Sequence, residues 1–447
     1  MKMTSKIGKY ENQIKNSTIQ KEMHLPSEDK KELFSVHQSN YYKTLWYKSS
    51  WETMSEQNVP SNPQLVTYTS KIFPYHSLHK SMLSTITPKI KAKEGYTIRF
   101  CDFLFINMIK EFKLSFNDTE IQYGNTKSLM FDLLSNTEME SIYKELSGSE
   151  KLTSWTDSLE PEFISIYLPW CYSLDKNNSF PLHICGQNDR LEHTVDFNLD
   201  LSQLIIIRNS EEEVVDFDKD LIEVEGNLSS ISIPELEGLY TTYTEKECDY
   251  FKCFNEDKKE KEYYTKSVYY IEDENETVFG KKVHLKFDSK YNFPVHSAYW
   301  GATNVTESDK EKETILYYKD DKETLFSPIK TTKLESSYGV ILDNKSSFKT
   351  ERGYTLSQFP RIQKTPGYNF WKNSILKRED PRKFEPGINM NGGSITMTLK
   401  EKQPKINDKY LAFCILNHTK KFMFTNFPLT QQERLKNGAT ITLIEEN

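Results

Sequence analysis

The stretch "EFKLSFNDTEIQYGNTKSLMFDLL", residues 111–134, changes its period twice within a short span. Phe112, Leu114 and Phe116 fall on one face, with Lys113 and Ser115 on the other, which predicts a half-buried strand. Asn117 and Asp118 supply turn chemistry, and Ile121 and Tyr123 resume the alternation. Two antiparallel strands, or one strongly bent strand, follow from that pattern. After Gly124, Thr126 is placed to cap a short helix bearing Leu129, Met130, Leu133 and Leu134. Thr137 and Glu140 then form a capping-box pattern ahead of Met139, Ile142, Tyr143 and Leu146, with Gly148 positioned to stop the helix. A β domain interrupted by helix at one place is expected. Leu114 and Phe116 belong inside its sandwich, and Leu129 and Leu133 on its open end.

Working outward, short β-branched and aromatic runs recur between turn signals: "SMLSTITPKIKAK", "GYTIRFCDFLFINMI", "FISIYLPWCYSL", "FPLHICG" and "LEHTVDFNLDLSQLIII". Strands at this density predict an all-β sandwich or barrel. The second half repeats the style in "KKVHLKF", "FPVHSAYWGATN", "TILYY", "SPIKTTKLESSYGVIL", "GGSITMTLKE", "KYLAFCILNH", "KKFMFTNF" and "GATITLIEE". The acidic run "NSEEEVVDFDKD" after "LSQLIIIR" is read as the border between the halves. Residues 1–60, polar and ending in "NVPSNP", read as an N-terminal arm. The expected division is therefore 1–60 arm, 61–212 first domain and 213–447 second domain. The charge-dense inserts "TEKECDYFKCFNEDKKEKEYYTK" and "ESDKEKETILYYKDDKE" are read as solvated loop tips.

Composition narrows the function. With 447 residues the chain suits two domains, and 26 Tyr with 26 Phe can fill large cores. The balance of 58 basic against 65 acidic residues, net -7, argues against a protein that coats nucleic acid. The six cysteines are scattered, with only Cys248 and Cys253 close together, unlike a disulfide framework or a zinc ribbon. The start has no apolar core behind its lysines, and no run approaches the roughly 18 apolar residues of a membrane span. A soluble, cytosolically made protein is expected. Sequons at Asn16, Asn117, Asn177, Asn227, Asn275, Asn304, Asn344 and Asn417 are then mostly chance in an Asn-rich chain.

Phosphate-cradling glycine loops, His-Glu-x-x-His helices, a Gly-x-Ser-x-Gly elbow and paired CxxC motifs do not occur. His76 and His79 would share a metal only on a helix; beside Pro74 they read as loop or strand-end residues. Cys248 and Cys253 lack a second pair nearby. Carboxylates such as those of "EDENE" are too many to single out an acid-base pair. Trp170, after Pro169, suits either a sugar-stacking platform or core packing, the latter preferred. No catalytic, cofactor-binding or metal-ligating residue is assigned, and the positions expected to matter are packing residues: Phe116, Trp170 and Trp300.

The order of these signals resembles the double jelly-roll major capsid proteins of nucleocytoplasmic large DNA viruses. The first half carries the resemblance in Ile109, Leu114, Phe116 and Asn117, then Leu168, Pro169 and Trp170, then Phe180, Pro181, Leu182 and Ile184, then "VDFNLDLSQLI". The second half carries it in "FPVHSAYWGATN", "SPIKTTKLESSYGVIL" and "FEPGINMNGGSITMTL", with Pro386, Gly387, Asn389, Met390, Gly393 and Ser394. The resemblance implies two tandem jelly rolls with short helical inserts and a structural, non-enzymatic protein without cofactors. It implies a homotrimer of pseudo-hexagonal outline, tiled with neighbouring capsomers into an icosahedral virion shell and joined by minor capsid or cement proteins. The N-terminal arm would face inward, toward those proteins or an inner membrane, with no direct nucleic-acid contact. Synthesis in host cytoplasm and assembly in viral factories are implied as well. A transient membrane-shaping scaffold of virus assembly is an alternative within the fold. A carbohydrate-binding or carbohydrate-cleaving sandwich, motivated by Trp170, Trp300 and Trp371, is an alternative outside it.

Overall fold

A computed structural model describes residues 48–59, 62–70, 76–101, 103–129, 149–173, 179–242, 260–275, 277–278, 280–289, 293–304, 329–337, 339–344, 368–372, 387–399, 409–425, 435–436 and 438–444. In chain order the strands of the first half are β1 (Lys48–Thr53), β2 (Ser55–Val59), β3 (Asn62–Ser70), β4 (His76–Ile86), β5 (Ile90–Ala92), β6 (Tyr96–Phe100), β7 (Ile109–Phe116), β8 (Thr119–Asn125), β9 (Ser158–Leu159), β10 (Phe163–Ile166), β11 (Leu191–Phe197), β12 (Ile205–Asn209), β13 (Val214–Val215), β14 (Ile222–Val224) and β15 (Glu235–Thr242). Those of the second are β16 (Glu260–Glu272), β17 (Thr277–Val278), β18 (Lys282–Lys286), β19 (Pro294–Asn304), β20 (Ile329–Ser336), β21 (Gly339–Asn344), β22 (Tyr368–Lys372), β23 (Ile388–Asn389), β24 (Ser394–Leu399), β25 (Lys409–Thr425) and β26 (Thr440–Ile444).

The first sandwich sets the sheet β1-β15-β4-β10 against β2-β3-β11-β7-β8, with the small sheets β13-β12-β6 and β14-β5-β9 beside them. Alternation builds it: Val66 and Tyr68 of β3, Phe112, Leu114 and Phe116 of β7, and Leu191, Val195 and Phe197 of β11 are all buried. The turn at Asn117 and Asp118 joins β7 to β8 as a two-residue hairpin, with φ of 46° and 68°. Only residues tolerant of the left-handed region suit both of its positions.

In β8 both faces are covered. Gln122 and Gly124 stand opposite Leu114 and Phe112, inside the sandwich, while Ile121 lies on the other face and is also buried. Gly124 has no choice of side chain, because a Cβ there would sit 2.2 Å from the Phe112 ring. The helix that follows covers 126–129, and its cap is Asn125 rather than Thr126. Ser128 N–H donates to Asn125 Oδ1 while Asn125 N–H donates to Ser128 Oγ, each 2.9 Å, so the two residues satisfy one another. Thr126 instead donates its hydroxyl to the Ile109 carbonyl. Leu129 is buried as expected. Leu133, Met130 and the capping box at Thr137 and Glu140 lie outside the described residues.

Strand pairing moves two expected borders. Lys48–Val59, read as part of an arm, pairs as β1 with β15 and as β2 with β3. The acidic run is the turn of the β12–β13 hairpin, where Asn209 Oδ1 accepts from the amides of Glu211 and Glu213 at 2.9 Å each. β14 and β15 then return to β5 and β4, so the first sandwich runs on to Thr242. "FPLHICG", read as a strand, is a 3-10 turn over Leu182–Ile184.

In the second sandwich β16-β25-β19-β22 faces β18-β24-β20-β21. The two runs read as separate strands around "LNHTKK" are one 17-residue strand, β25. Part of the first charge-dense insert, from Glu260 on, is strand β16, which pairs with β25 along its whole length. The rest of that insert and all of the second lie outside the described residues.

Trp300 is buried in the second core, and its Nε1 donates to Thr332 Oγ1 at 3.0 Å. Trp300→Ala should cost about 3–5 kcal/mol through the cavity and the orphaned hydroxyl, read by chemical denaturation. Native stability in that variant would refute this placement of the core.

Candidate functional site: the seam between the sandwiches

Among the described residues, aromatic packing, a buried carboxylate and lysines converge where the sandwiches meet. β25 presents Ala412, Cys414 and Leu416 to the second core, and Phe413, Ile415, Phe422 and Phe424 to the apolar cluster of the first sandwich. Phe424 lies 5.6 Å from Phe116, 5.8 Å from Phe180 and 6.2 Å from Tyr263, ring centre to ring centre, in edge-on arrangements. At the rim of this cluster β8 is an edge strand, and β16 covers it with hydroxyls. Thr265 Oγ1 donates to the Ile121 carbonyl at 3.0 Å, and Ser267 Oγ accepts from Tyr123 N–H at 3.0 Å. Backbone groups that would otherwise template aggregation are thus satisfied by side chains.

A carboxylate closes the seam from the other end. Asp189 is buried, with Oδ2 accepting from Gly186 N–H at 2.6 Å and from Ala439 N–H at 2.8 Å, and Oδ1 from Asn117 Nδ2 at 2.8 Å. Asn117 Oδ1 accepts from Arg190 N–H at 2.8 Å, and its Nδ2 reaches the Ala439 carbonyl at 3.3 Å. One hairpin-turn residue therefore ties the first sandwich to the segment leading into β26. Gly438 fits only as glycine, since a Cβ would stand 2.3 Å from Asp189 Oδ1.

Two lysines cross the seam. Lys127 Nζ lies 2.5 Å from Glu272 Oε1, 2.6 Å from Tyr270 OH and 4.3 Å from the Phe413 ring centre. Burial pulls its ammonium below the usual lysine range, and Glu272 opposes that shift. Lys420 Nζ lies 3.4 Å from Glu120 Oε1, again with burial lowering its pKa against the carboxylate.

The residues weighed for chemistry lie elsewhere or outside the described residues. His76 and His79 sit on strand β4, with Nε2 atoms 2.9 Å from Thr242 Oγ1 and 3.2 Å from Ser77 Oγ. Among the described residues no three His, Cys, Asp or Glu are grouped to hold a metal ion. Cys248 and Cys253 lie outside the described residues. Cys171 is buried against Tyr263 OH, and burial pushes its thiol up to about 12, the opposite of an activated nucleophile. Trp170 is fully buried, edge-on to Phe112 at 5.0 Å, so it is core and offers no platform for a sugar. The Trp371 side chain lies outside the described residues. Asn117 and Asn417, two of the sequon asparagines, both direct their amides inward, Asn417 to Ser297 Oγ at 2.9 Å.

Sequence reasoning missed a buried polar chain, in which Tyr172 OH is 2.8 Å from both Ser81 Oγ and His193 Nε2. His193 is enclosed by Trp170 and Tyr172, and burial pulls its pKa down to about 3. The alternation of "LEHTVDF" does place His193 on the core face, which was the available signal.

No protein-family model matches the chain, and no curated protein matches it in sequence. Solved structures do. The capsid of PBCV-1 virus matches with a TM-score of 0.59 at 9% identity, covering 90% of this chain and 97% of that one. The Faustovirus major capsid protein matches at 0.56 and 9%, covering 84% and 90%. The mavirus major capsid protein matches at 0.50 and 10%, covering 88% and 90%. The chain has the all-β, double jelly-roll fold of these viral major capsid proteins.

Asp189→Asn should cost about 2–3 kcal/mol by taking the charged acceptor from two amides, and should split one calorimetric transition into two. A single transition of unchanged midpoint would show that the seam holds without it. Glu272→Gln, which strands the Lys127 cation, should cost about 2 kcal/mol, less than a fully buried pair because Glu272 keeps 31% of its side-chain surface. Lys127→Met should cost less. His193, depressed from 6.5 to about 3, favours the fold fully above pH 6.5 and penalises it increasingly as pH falls toward 3. Denaturation series from pH 7 to 4 should show a slope shallower by about one proton in His193→Gln.

Proposed function

We propose that the chain is a structural capsid protein whose copies assemble as pseudo-hexagonal trimers and tile, with neighbouring capsomers, into the icosahedral shell of a large DNA virus. The observation that carries this reading is the double jelly-roll fold spanning most of the chain, with both sandwiches sharing β25 as one block. A shell subunit needs a rigid unit with few free strand edges, and the hydroxyl-covered edge of β8 is in keeping with that need. The reading divides the chain into a first jelly roll over 48–242 and a second over 260–444. Residues 1–47 serve as an arm directed to minor capsid or cement proteins or an inner membrane, and no direct contact with nucleic acid is part of the role. The role is non-enzymatic and needs no cofactor. The protein belongs to the virion, after synthesis in host cytoplasm and assembly in viral factories.

Light scattering of the purified protein should give three times the chain mass, and negative-stain images should show hexagonal outlines. A monodisperse monomer that never associates under assembly conditions would reject the proposal.

A further inference from the structure

At one end of the first sandwich, β6 and β12 place Thr97 directly opposite Arg208 and Arg99 opposite Ile206, all four on one face. The other face, with Ile98 and Ile207, is core. Thr156 pairs with Ile98 beyond β6, which sets Trp155 across from Arg99. The Trp155 ring centre is 5.0 Å from the Arg99 guanidinium carbon and 4.5 Å from that of Arg208.

We propose that Arg208, Thr97 and Arg99, grouped against Trp155, form a binding site for a tetrahedral oxyanion, phosphate or a phosphomonoester.

Two guanidinium groups are held against a single indole, whose face attracts both. Arg208 Nε and Thr97 Oγ1 are buried, with no hydrogen-bond partner among the described residues. Donors in that condition cost free energy unless a ligand or water meets them. Arg99 donates to the Phe100 carbonyl at 3.4 Å, so in this site it supplies charge and shape. The planar fork of Arg208 beside a hydroxyl matches the oxygens of a phosphate in geometry as well as charge. A cation–π clamp of purely structural purpose would leave anions without effect, which makes the two readings separable.

The test is calorimetric titration of the full chain with sodium phosphate, against sodium chloride at equal ionic strength. Saturable phosphate binding is expected, about tenfold weaker in Arg208→Gln, which loses a charge-assisted contact. It should also weaken in Thr97→Val, which keeps the shape of the strand and decides the matter should the arginine variant misfold. Vesicles containing phosphatidic acid distinguish the source. Arg208-dependent vesicle binding that phosphate displaces assigns a lipid headgroup, and phosphate binding without vesicle binding assigns the free anion. No saturable phosphate binding, or binding in both variants as tight as in the unsubstituted chain, overturns the proposal, whatever the vesicles do.

Discussion

A strand buried on both faces cannot belong to one sandwich, and β25 is such a strand. Its even-numbered side chains from Ala412 to Leu416 complete the second core, and Phe413 and Ile415 complete the first. Removing either sandwich would expose large aromatic area on the other, at a cost on the order of 25 cal/mol for each Å² uncovered. The two jelly rolls are therefore one unit in energy, although each is closed by its own pair of sheets.

The polar parts of the seam follow from that apolar contact. Once Phe424 packs among Phe116, Phe180 and Tyr263, the free edge of β8 and the turn at Asn117 lie within reach of the second sandwich. Their backbone groups then lose water and need partners, which Thr265, Ser267 and Asp189 provide. Asn117 couples two scales. Its tolerance of a positive φ makes the hairpin possible, and its amide bridges Arg190, Asp189 and Ala439.

Much of the fold was legible. β7, β11, β18, β24 and β26 alternate cleanly, and period 2 is a local signal that survives without knowledge of neighbours. The failures have physical causes. The first half of β16, up to Lys266, reads as a solvated loop because its lysines and glutamates hide Tyr263 and Thr265, which are buried at the seam. β25 was split in two because "NHTKK" looks like a break, yet His418 and Thr419 are buried there. The acidic run reads as a domain border because charge marks turns and linkers alike. In β8 the alternation of Ile121 and Tyr123 gives no sign that the polar Gln122 enters the sandwich, to accept from Cys171 N–H at 2.7 Å and donate to the Pro169 carbonyl at 2.9 Å. At the seam, the role of Phe116 as a packing residue was legible, but Asp189, Ala439, Lys127 and Glu272 carried no local signal at all.

By itself the sequence determined the period of most strands, the turn at Asn117 and Asp118, the all-β class and its two-fold repetition, because these depend on residues within a few positions of one another. Only the tertiary structure decided which core each face of a strand serves, where one sandwich stops, and which charges are buried in pairs. Those outcomes rest on contacts between residues as distant as Asp189 and Ala439, and periodicity specifies the sides of a strand without saying what will cover them.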